Sequence, residues 1–132
     1  MRFQKLLALL FSMFILPNIS MAQTDLNDAI TNAIKSGNIK EISKYFDSSI
    51  SLKILDVEDI YSKAQAEIIL KDFLVKNPVK NYSSKHSGTS KNGSQYIIGQ
   101  MNAGNKNFRT YYFIKKSAEK TLIQELKIEN EN

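Results

Sequence analysis

Two short turns in the second half of the chain constrain its fold more than any other feature. Asn92-Gly93 is typical of a two-residue β-hairpin loop, because a type I′ turn needs a positive φ at both central residues. Gly104-Asn105 predicts a second loop of the same length twelve residues later. Both lie in a region where apolar and polar residues alternate, so the region after Pro78 is predicted to form antiparallel hairpins.

Counting outward from these turns predicts which residues face each other. The first turn places His86 opposite Gly99, and the second places Gly99 opposite Thr110. A third turn is expected near Ser117–Glu119, with three residues and with Lys116 opposite Lys120. An odd-numbered loop is needed there, because a one-residue slip would turn the apolar side of the last strand outward.

The predicted register divides the side chains between two faces of one sheet. Face A is the more apolar, so the helices are expected to pack on it; it is predicted to carry Tyr82, Ser84, His86, Ile97, Gly99, Met101, Phe108, Thr110, Tyr112, Ile114, Leu122, Gln124, Leu126 and Ile128. Face B is predicted to carry Tyr96, Ile98, Gln100, Arg109, Tyr111, Phe113, Ile123, Glu125 and Lys127.

The first half of the chain supplies the helices. Apolar residues at helical spacing from Leu26 to Ile34 predict an amphipathic helix, with Thr24 or Asp25 as its N-cap and Gly37 as its end. A short second helix begins at Asn38. Residues 50–54 alternate like a strand, and an acidic loop is predicted from Asp56 to Asp59.

Sequence signals predict both ends of a third helix. Ser62 and Gln65 form a capping-box pattern, and Pro78 disfavours helical geometry at the preceding Asn77. Helices grouped on one face of a curved antiparallel sheet define an α+β domain.

The N-terminus predicts export. Residues 1–22 have a positive start, an apolar run from Leu6 to Leu16 that is too short to span a bilayer, and small residues before Gln23, as in a cleaved signal peptide. Residues 23–132 then form a single domain. The alternative is a retained N-terminal anchor. The chain has no cysteine, so it has neither disulfides nor a site for lipid attachment. We expect a periplasmic or secreted protein without a stable membrane anchor after cleavage.

Charge and composition exclude several functions. The formal net charge is +5, but the lysines are dispersed, and nucleic-acid binding would need a concentrated basic face. One histidine and no cysteine exclude a zinc site, and Asp56, Glu58 and Asp59 lack the glycine and the distal glutamate of a calcium loop. We expect no metal, no cofactor and no catalytic residues.

Four segments resemble one known family. They are SGNIKEISKYFDSSISLKIL, YSKAQAEIILKDFLVKNP, HSGTSKNGSQYIIG and FRTYYFIKK…LIQELKIE. Together they resemble domain of unknown function 4783, a family of small exported bacterial proteins, over about residues 24–129. The resemblance implies the cone-shaped NTF2-like α+β fold and export from a Bacteroidetes-type cell. It implies no reaction, because that fold serves isomerases, dehydratases, transport adaptors and binding modules alike.

Face A contains the candidate ligand-binding residues. Tyr112, Thr110 and Gln124 form a predicted polar spot, with His86 at the mouth of the same cavity. These groups would hold a small apolar ligand through a few hydrogen bonds. The alternatives are a core tyrosine whose hydroxyl finds a partner and a histidine packed near the sheet edge. An isomerase or dehydratase would also need a carboxylate beside Tyr112 or His86, and the predicted strands of face A supply none.

Face B contains the candidate interface, because no predicted helix remains to cover it. Its apolar residues are Tyr96, Ile98, Tyr111, Phe113 and Ile123. An uncovered aromatic patch marks an interaction surface, and a two-fold homodimer is the simplest solution. The alternative is a monomer whose aromatics lie under lysine stems. The leading hypothesis is an exported, non-catalytic domain that binds a small apolar ligand or a protein partner and self-associates. The other hypotheses are an enzyme using the cone and a structural homodimer with a filled cavity.

Overall fold

The structure, a computed structural model, describes residues 22–132, with side chains from Leu26 onward. The predicted signal peptide therefore lies, except for its last residue, outside the described residues. The elements are α1 (Ala22–Ser36), α2 (Ile39–Ser43), β1 (Phe46–Ile54), β2 (Val57–Ser62), α3 (Lys63–Lys76), β3 (Val79–Thr89), β4 (Gln95–Ala103), β5 (Lys106–Lys116) and β6 (Thr121–Asn130).

The helix ends follow the sequence signals, with one exception. Gly37 ends α1 at a φ of +64°, and the Asn38 side chain caps α2 by accepting from the Glu41 backbone N–H. Ser62 and Gln65 make the reciprocal capping box of α3, and Asn77 is its C-cap. The prediction that Thr24 or Asp25 caps α1 is wrong, because α1 begins at Ala22 and runs through both residues.

The six strands form one sheet in the order β2-β1-β6-β5-β4-β3. Its pairs are antiparallel except for β1 with β6, which is parallel. The acidic loop predicted from Asp56 to Asp59 is wrong. These residues belong to the β1–β2 hairpin, and Ile54 pairs with Val57 across its turn. Leu55 holds a φ of +57° in that turn, which a non-glycine residue rarely does, so the sequence carries no usual turn signal there.

The β4–β5 register is confirmed residue by residue. Gly104 and Asn105 both have positive φ, as a type I′ turn requires, and Gly99 pairs with Thr110. Ile97 pairs with Tyr112, and both of these side chains are buried. The two central strands therefore have the predicted faces.

The first hairpin turn differs from the prediction. Gly93 has a positive φ and Asn92 does not, and Ser90 pairs with Ser94, which makes a three-residue loop. The register shifts again between Ser84 and His86. The placement of His86 on face A opposite Gly99 is therefore wrong: His86 pairs with Ile98, and Ser84 pairs with Gly99.

The last turn also differs, and a bulge compensates for it. Lys116 pairs with Thr121 and Ser117 N–H donates to the Lys120 carbonyl, so the predicted three-residue loop is wrong. The register then shifts between Phe113 and Ile114, which restores the parity of the rest of β6. Leu126 and Ile128 point inward as predicted. The bulge also turns Ile123 inward, opposite Ile114, and leaves Leu122 beside Lys115 instead of in the core.

The helices cover one side of the sheet, for which we keep the name face A; the opposite side is face B. Phe73 of α3 meets Phe108 of β5 edge-on, with ring centroids 5.4 Å apart. Tyr112 and Leu126 are buried, whereas Tyr111 and Phe113 remain partly exposed on the other side. Face A is therefore the core side, as predicted, and the architecture is α+β.

Candidate functional site

A groove of about 450 Å³ lies on face B. Strands β4, β5 and β6 build it, because their outward residues alternate with the buried ones of face A. It is lined by Tyr96, Ile98, Arg109, Tyr111, Glu125, Lys127 and Glu129. No helix lies over this side of the sheet in the part of the chain that is described.

A tyrosine pair forms one wall of the groove. The rings of Tyr96 and Tyr111 are stacked, with centroids 6.4 Å apart and an interplanar angle of 19°. The Tyr96 ring lies directly over Gly88 of β3, where a Cβ atom would collide with it. Gly88 thus permits the position of Tyr96. The Lys127 ammonium lies 5.9 Å from the Tyr111 centroid on the β6 side, a cation–π contact.

Ion pairs span the other half of face B. Lys127 contacts Glu125 at 3.0 Å and Glu58 at 3.7 Å, and Lys53 contacts Glu129 at 3.4 Å. The hydrogen bond with Glu125 raises the pKa of Lys127 above its usual range. Desolvation by partial burial raises the pKa of the Tyr111 phenol, so it stays neutral beside these charges. These contacts hold the charged side chains flat across β1, β2 and β6.

The buried polar spot on face A has a different composition from the predicted one. Thr110 and Tyr112 belong to it, and the third member is Tyr82 of β3. The Tyr82 hydroxyl reaches over Gly99, where a Cβ atom would be only 2.6 Å away. Burial raises the pKa of both tyrosines, and Thr31 of α1 approaches Tyr112. All three hydroxyls are buried and lack a hydrogen bond of good geometry to any described protein atom.

Of these three residues, Thr110 lines a small cavity. A cavity of about 20 Å³ lies between the helices and the sheet, lined by Ile34, Ile42, Leu70, Leu74, Met101, Thr110, Leu126 and Ile128. That volume suits one water molecule. The groups that influence the pKa of Tyr112 are the hydroxyls of Tyr82 and Thr31 and include no carboxylate of the described chain.

Three predicted site residues lie elsewhere. Gln124 donates from Nε2 to Asp47 Oδ2 at 3.1 Å at the end of the sheet, and this bond lowers the pKa of Asp47; Gln124 does not join Tyr112. His86 is exposed on β3 beside Ile98. Ile123, predicted on face B, is 1% exposed and packs in the core. The unpredicted turn lengths, together with the bulges in β3 and β6, cause all three differences.

The remaining predicted residues lie where the register placed them. Tyr112 and Thr110 are buried on face A, and Tyr96, Ile98, Tyr111 and Phe113 lie on face B. The sequence prediction missed the contributions of Lys53, Glu58 and Glu129 to face B. The first two require β1 and β2 to join the sheet beside β6, and no local signal predicts that pairing.

The described residues contain neither a metal-ligand cluster nor a membrane-spanning helix. Between residues 22 and 132, no three acidic, histidine or cysteine side chains are grouped as metal ligands. No helix in the same range has the length and apolarity needed to cross a bilayer.

Comparisons with known proteins identify the family. The family model for "Domain of unknown function (DUF4783)" matches residues 27–129. A crystal structure of a DUF4783 family protein from Bacteroides ovatus is 29% identical, with a TM-score of 0.74, and the match covers 79% of this chain and 94% of that one. A second, from Bacteroides fragilis, is 28% identical with a TM-score of 0.73, covering 78% and 96%.

The fold is shared more widely than the sequence. An NTF2-like protein of unknown function from Cytophaga hutchinsonii has a TM-score of 0.58 at 12% identity, covering 82% of this chain and 88% of that one. No curated protein matches the chain. This chain therefore belongs to the DUF4783 family and has an NTF2-like α+β fold.

Proposed function

We propose that this protein is an exported, non-catalytic domain that works by self-association through face B. The observation that carries the proposal is the open groove on that face, with stacked Tyr96 and Tyr111 on one side and paired charges on the other. Aromatic side chains that stay partly exposed beside a polar rim are typical of protein interfaces. The cavity that Thr110 lines on face A is far smaller, about 20 Å³.

The charges of face B favour a second copy as the partner. In and beside the groove, Lys53, Arg109 and Lys127 are balanced by Glu58, Glu125 and Glu129. A two-fold interface must be complementary to itself, and a surface with equal numbers of both charges meets that condition. Without Arg2 and Lys5 of the predicted signal peptide, the formal net charge falls from +5 to +3, so two copies carry a mild overall repulsion that a charge-balanced surface avoids.

Sedimentation equilibrium tests the proposal. The protein is expressed with its own N-terminus, purified from the exported fraction, and compared with Phe113→Lys. We expect the parent to have twice the monomer mass and the variant to have the monomer mass, because a lysine there adds charge to the apolar part of face B. Ile68→Lys is the matched control: Ile68 is an exposed apolar residue of α3, on the opposite side of the molecule. An unchanged mass for Phe113→Lys, or a monomeric parent, overturns the proposal.

Export rests on the apolar N-terminal segment and the absence of cysteine. We expect the protein in the periplasm or the medium to begin at Gln23, which N-terminal sequencing of the purified protein determines. An N-terminus at Met1 in the membrane fraction would indicate a retained anchor and overturn this part of the proposal.

A small apolar ligand in the cone is the second candidate. The observation that favours it is the unpartnered Thr110 hydroxyl at the wall of an otherwise apolar cavity. With about 20 Å³ available, such a ligand requires α1 or α3 to move away from the sheet. Native mass spectrometry of the protein from cell extract tests it: a bound mass that Thr110→Val removes supports the ligand, and an apo mass alone contradicts it.

A further inference from the structure

One cation of face B makes no ion pair with any side chain that the structure describes, from Leu26 to Asn132. Arg109 is exposed on β5 and is the only arginine after residue 2. Lys53 and Lys127 each have an acidic partner within 4 Å. Glu58, Glu125 and Glu129 are those partners, so each glutamate is paired with a lysine. Arg109 makes no ion pair with a described residue. Among the described residues that line the groove, Arg109 is the one charged side chain without an ion pair.

The residues across from Arg109 explain why it is unmatched. Its two cross-strand neighbours are Glu129 on β6 and Gln100 on β4. Glu129 is drawn to Lys53 on the far side of β6, at 3.4 Å. Gln100 donates to the carboxylate of Glu131 at 2.8 Å, so it too is already engaged.

The chemistry of the side chain specifies what it would bind. A guanidinium carries five N–H donors in a planar fork that matches the two oxygens of a carboxylate. It stands next to the apolar wall of the groove, where a partner would exclude water and strengthen the contact. An unmatched arginine in such a position is a common anchor of protein interfaces.

We infer that Arg109 binds the Glu129 carboxylate of a second copy across the face B interface. The inference rests on the proposed self-association, and two-fold symmetry forms the contact twice. Glu129 is favoured over Glu125 because its internal ion pair is longer, 3.4 Å against 3.0 Å, and its side chain is the more exposed, 36% against 30%. The contact specifies which way round the two copies meet, because the aromatic wall alone tolerates several orientations.

A charge-reversal series tests the pairing by the dimer dissociation constant. Arg109→Glu is expected to weaken the dimer roughly 10- to 100-fold, since it sets two acids against each other. Glu129→Lys alone is expected to weaken it by a similar factor. The double variant is expected to recover most of the affinity, because the same ion pair is restored with its signs exchanged. Lys106→Glu is the matched control, an exposed lysine on the same strand, and its constant should equal that of the parent.

Salt provides a readout that a merely structural role would not change. The parent dimer should weaken as sodium chloride is added, whereas Arg109→Gln should start weaker and respond less, because the screened ion pair is absent. Arg109→Lys should recover only part of the loss, since an ammonium cannot make the bidentate contact.

The outcomes distinguish the Arg109–Glu129 contact from the proposed self-association through face B. If Phe113→Lys dissociates the dimer but Arg109→Glu does not, the inference is overturned and self-association stands. If Arg109→Glu weakens the dimer and Glu129→Lys fails to rescue it, the assignment of Glu129 is overturned. A monomeric parent overturns both.

Discussion

The two faces of β5 are built from one alternating sequence and have opposite properties. Phe108, Thr110, Tyr112 and Ile114 point to face A and are buried, whereas Arg109, Tyr111 and Phe113 point to face B and remain at least partly exposed. Face A packs against the helices, and the cavity beside Thr110 holds only about 20 Å³. Face B keeps a groove of about 450 Å³.

This difference shows that aromatic content alone does not distinguish a core from a binding surface. Both faces carry tyrosine and phenylalanine, but the three polar side chains at the centre of face A are uncharged hydroxyls, and those of face B include six charges. Burying an uncharged hydroxyl costs less free energy than burying a charge, which needs a partner. The charged residues of these strands therefore lie on face B, where they remain available for contacts with another molecule.

Replacing one phenylalanine on each face should produce the largest contrast. Phe108→Ala should lower the free energy of unfolding by about 3–5 kcal/mol, because it leaves a cavity beside Phe73 in the core. Phe113→Ala should cost about 1 kcal/mol, since its side chain is only half-buried. Urea denaturation measures both values. It is carried out at concentrations well below the dimer dissociation constant, so that association does not contribute.

Similar losses for the two variants would contradict the contrast, because face B would then be part of the folded core. A third variant, Phe73→Leu, checks the assignment of the Phe108 contact: it should cost less than Phe108→Ala, because most of the volume in that position is retained.

Two glycines make a matched pair on the two faces, since each has a tyrosine ring lying over it. In Gly99→Ala the new methyl meets Tyr82, which is buried and cannot move aside, and the cost should be about 1–3 kcal/mol. In Gly88→Ala the methyl meets Tyr96, which is 42% exposed and can turn toward solvent, so the cost should stay below about 1 kcal/mol. Thermal and urea unfolding measure both changes.

For self-association the ranking of the two variants should be the opposite of their ranking by loss of stability. Gly88→Ala displaces the Tyr96 ring from Tyr111 and should weaken the dimer, whereas Gly99→Ala, once folded, should leave the dimer constant unchanged. A weaker dimer from Gly99→Ala alone would indicate that the interface depends on face A.

The sequence predicted most of the fold because turn and cap chemistry is local. Gly104-Asn105 specified the β4–β5 register, and Ser62 with Gln65 specified where α3 begins. The register shifts in β3 and β6 were not predicted, since a bulge depends on how a strand bends across its neighbours. β2 was missed for a related reason. As a mostly exposed edge strand it lacks an apolar stripe, and its turn uses Leu55 at a positive φ.

The candidate sites were predicted where register alone decides the position. Tyr112 with Thr110 on face A, and Tyr96 with Tyr111 on face B, follow from the β4–β5 pairing. The structure places Tyr82 beside Tyr112, where His86 and Gln124 were predicted. His86 comes directly after the register shift of β3, and Gln124 lies within the register shift of β6. The ion pairs of Lys53 and Glu58 required the parallel contact between β1 and β6, a long-range pairing without a local signal.

Alkaline pH should lower the stability of the folded chain through the two buried tyrosines of face A. Burial raises the folded-state pKa of Tyr82 and Tyr112 above the value of about 10 in the unfolded chain. Above that pH the unfolded chain releases phenolic protons that the folded chain keeps, so the free energy of unfolding falls as pH rises. The slope is up to about 1.4 kcal/mol per pH unit for each tyrosine.

Urea denaturation between pH 8 and 11 measures that slope, and phenolate absorbance shows when each group ionises. The double variant Tyr82→Phe with Tyr112→Phe should lose the contribution of those two phenols. It keeps the contributions of Tyr111, Lys44 and Lys127, whose raised pKa values act in the same direction. If the parent and the double variant have equal slopes, the two phenols ionise as readily in the folded chain as in the unfolded one.

The smallest expected effect concerns one hydroxyl on each face at neutral pH. The Tyr112 hydroxyl is buried without a well-formed hydrogen bond, so Tyr112→Phe removes an unmet desolvation cost. It should leave the free energy of unfolding unchanged or raise it by up to about 1 kcal/mol. Tyr111→Phe, the neighbour on face B, removes a partly exposed hydroxyl and should change stability by less than about 0.5 kcal/mol. A loss above about 1.5 kcal/mol for Tyr112→Phe would mean that its hydroxyl makes a hydrogen bond on face A, with Thr31, Tyr82 or a bound molecule. Face A would then contain a second candidate binding site.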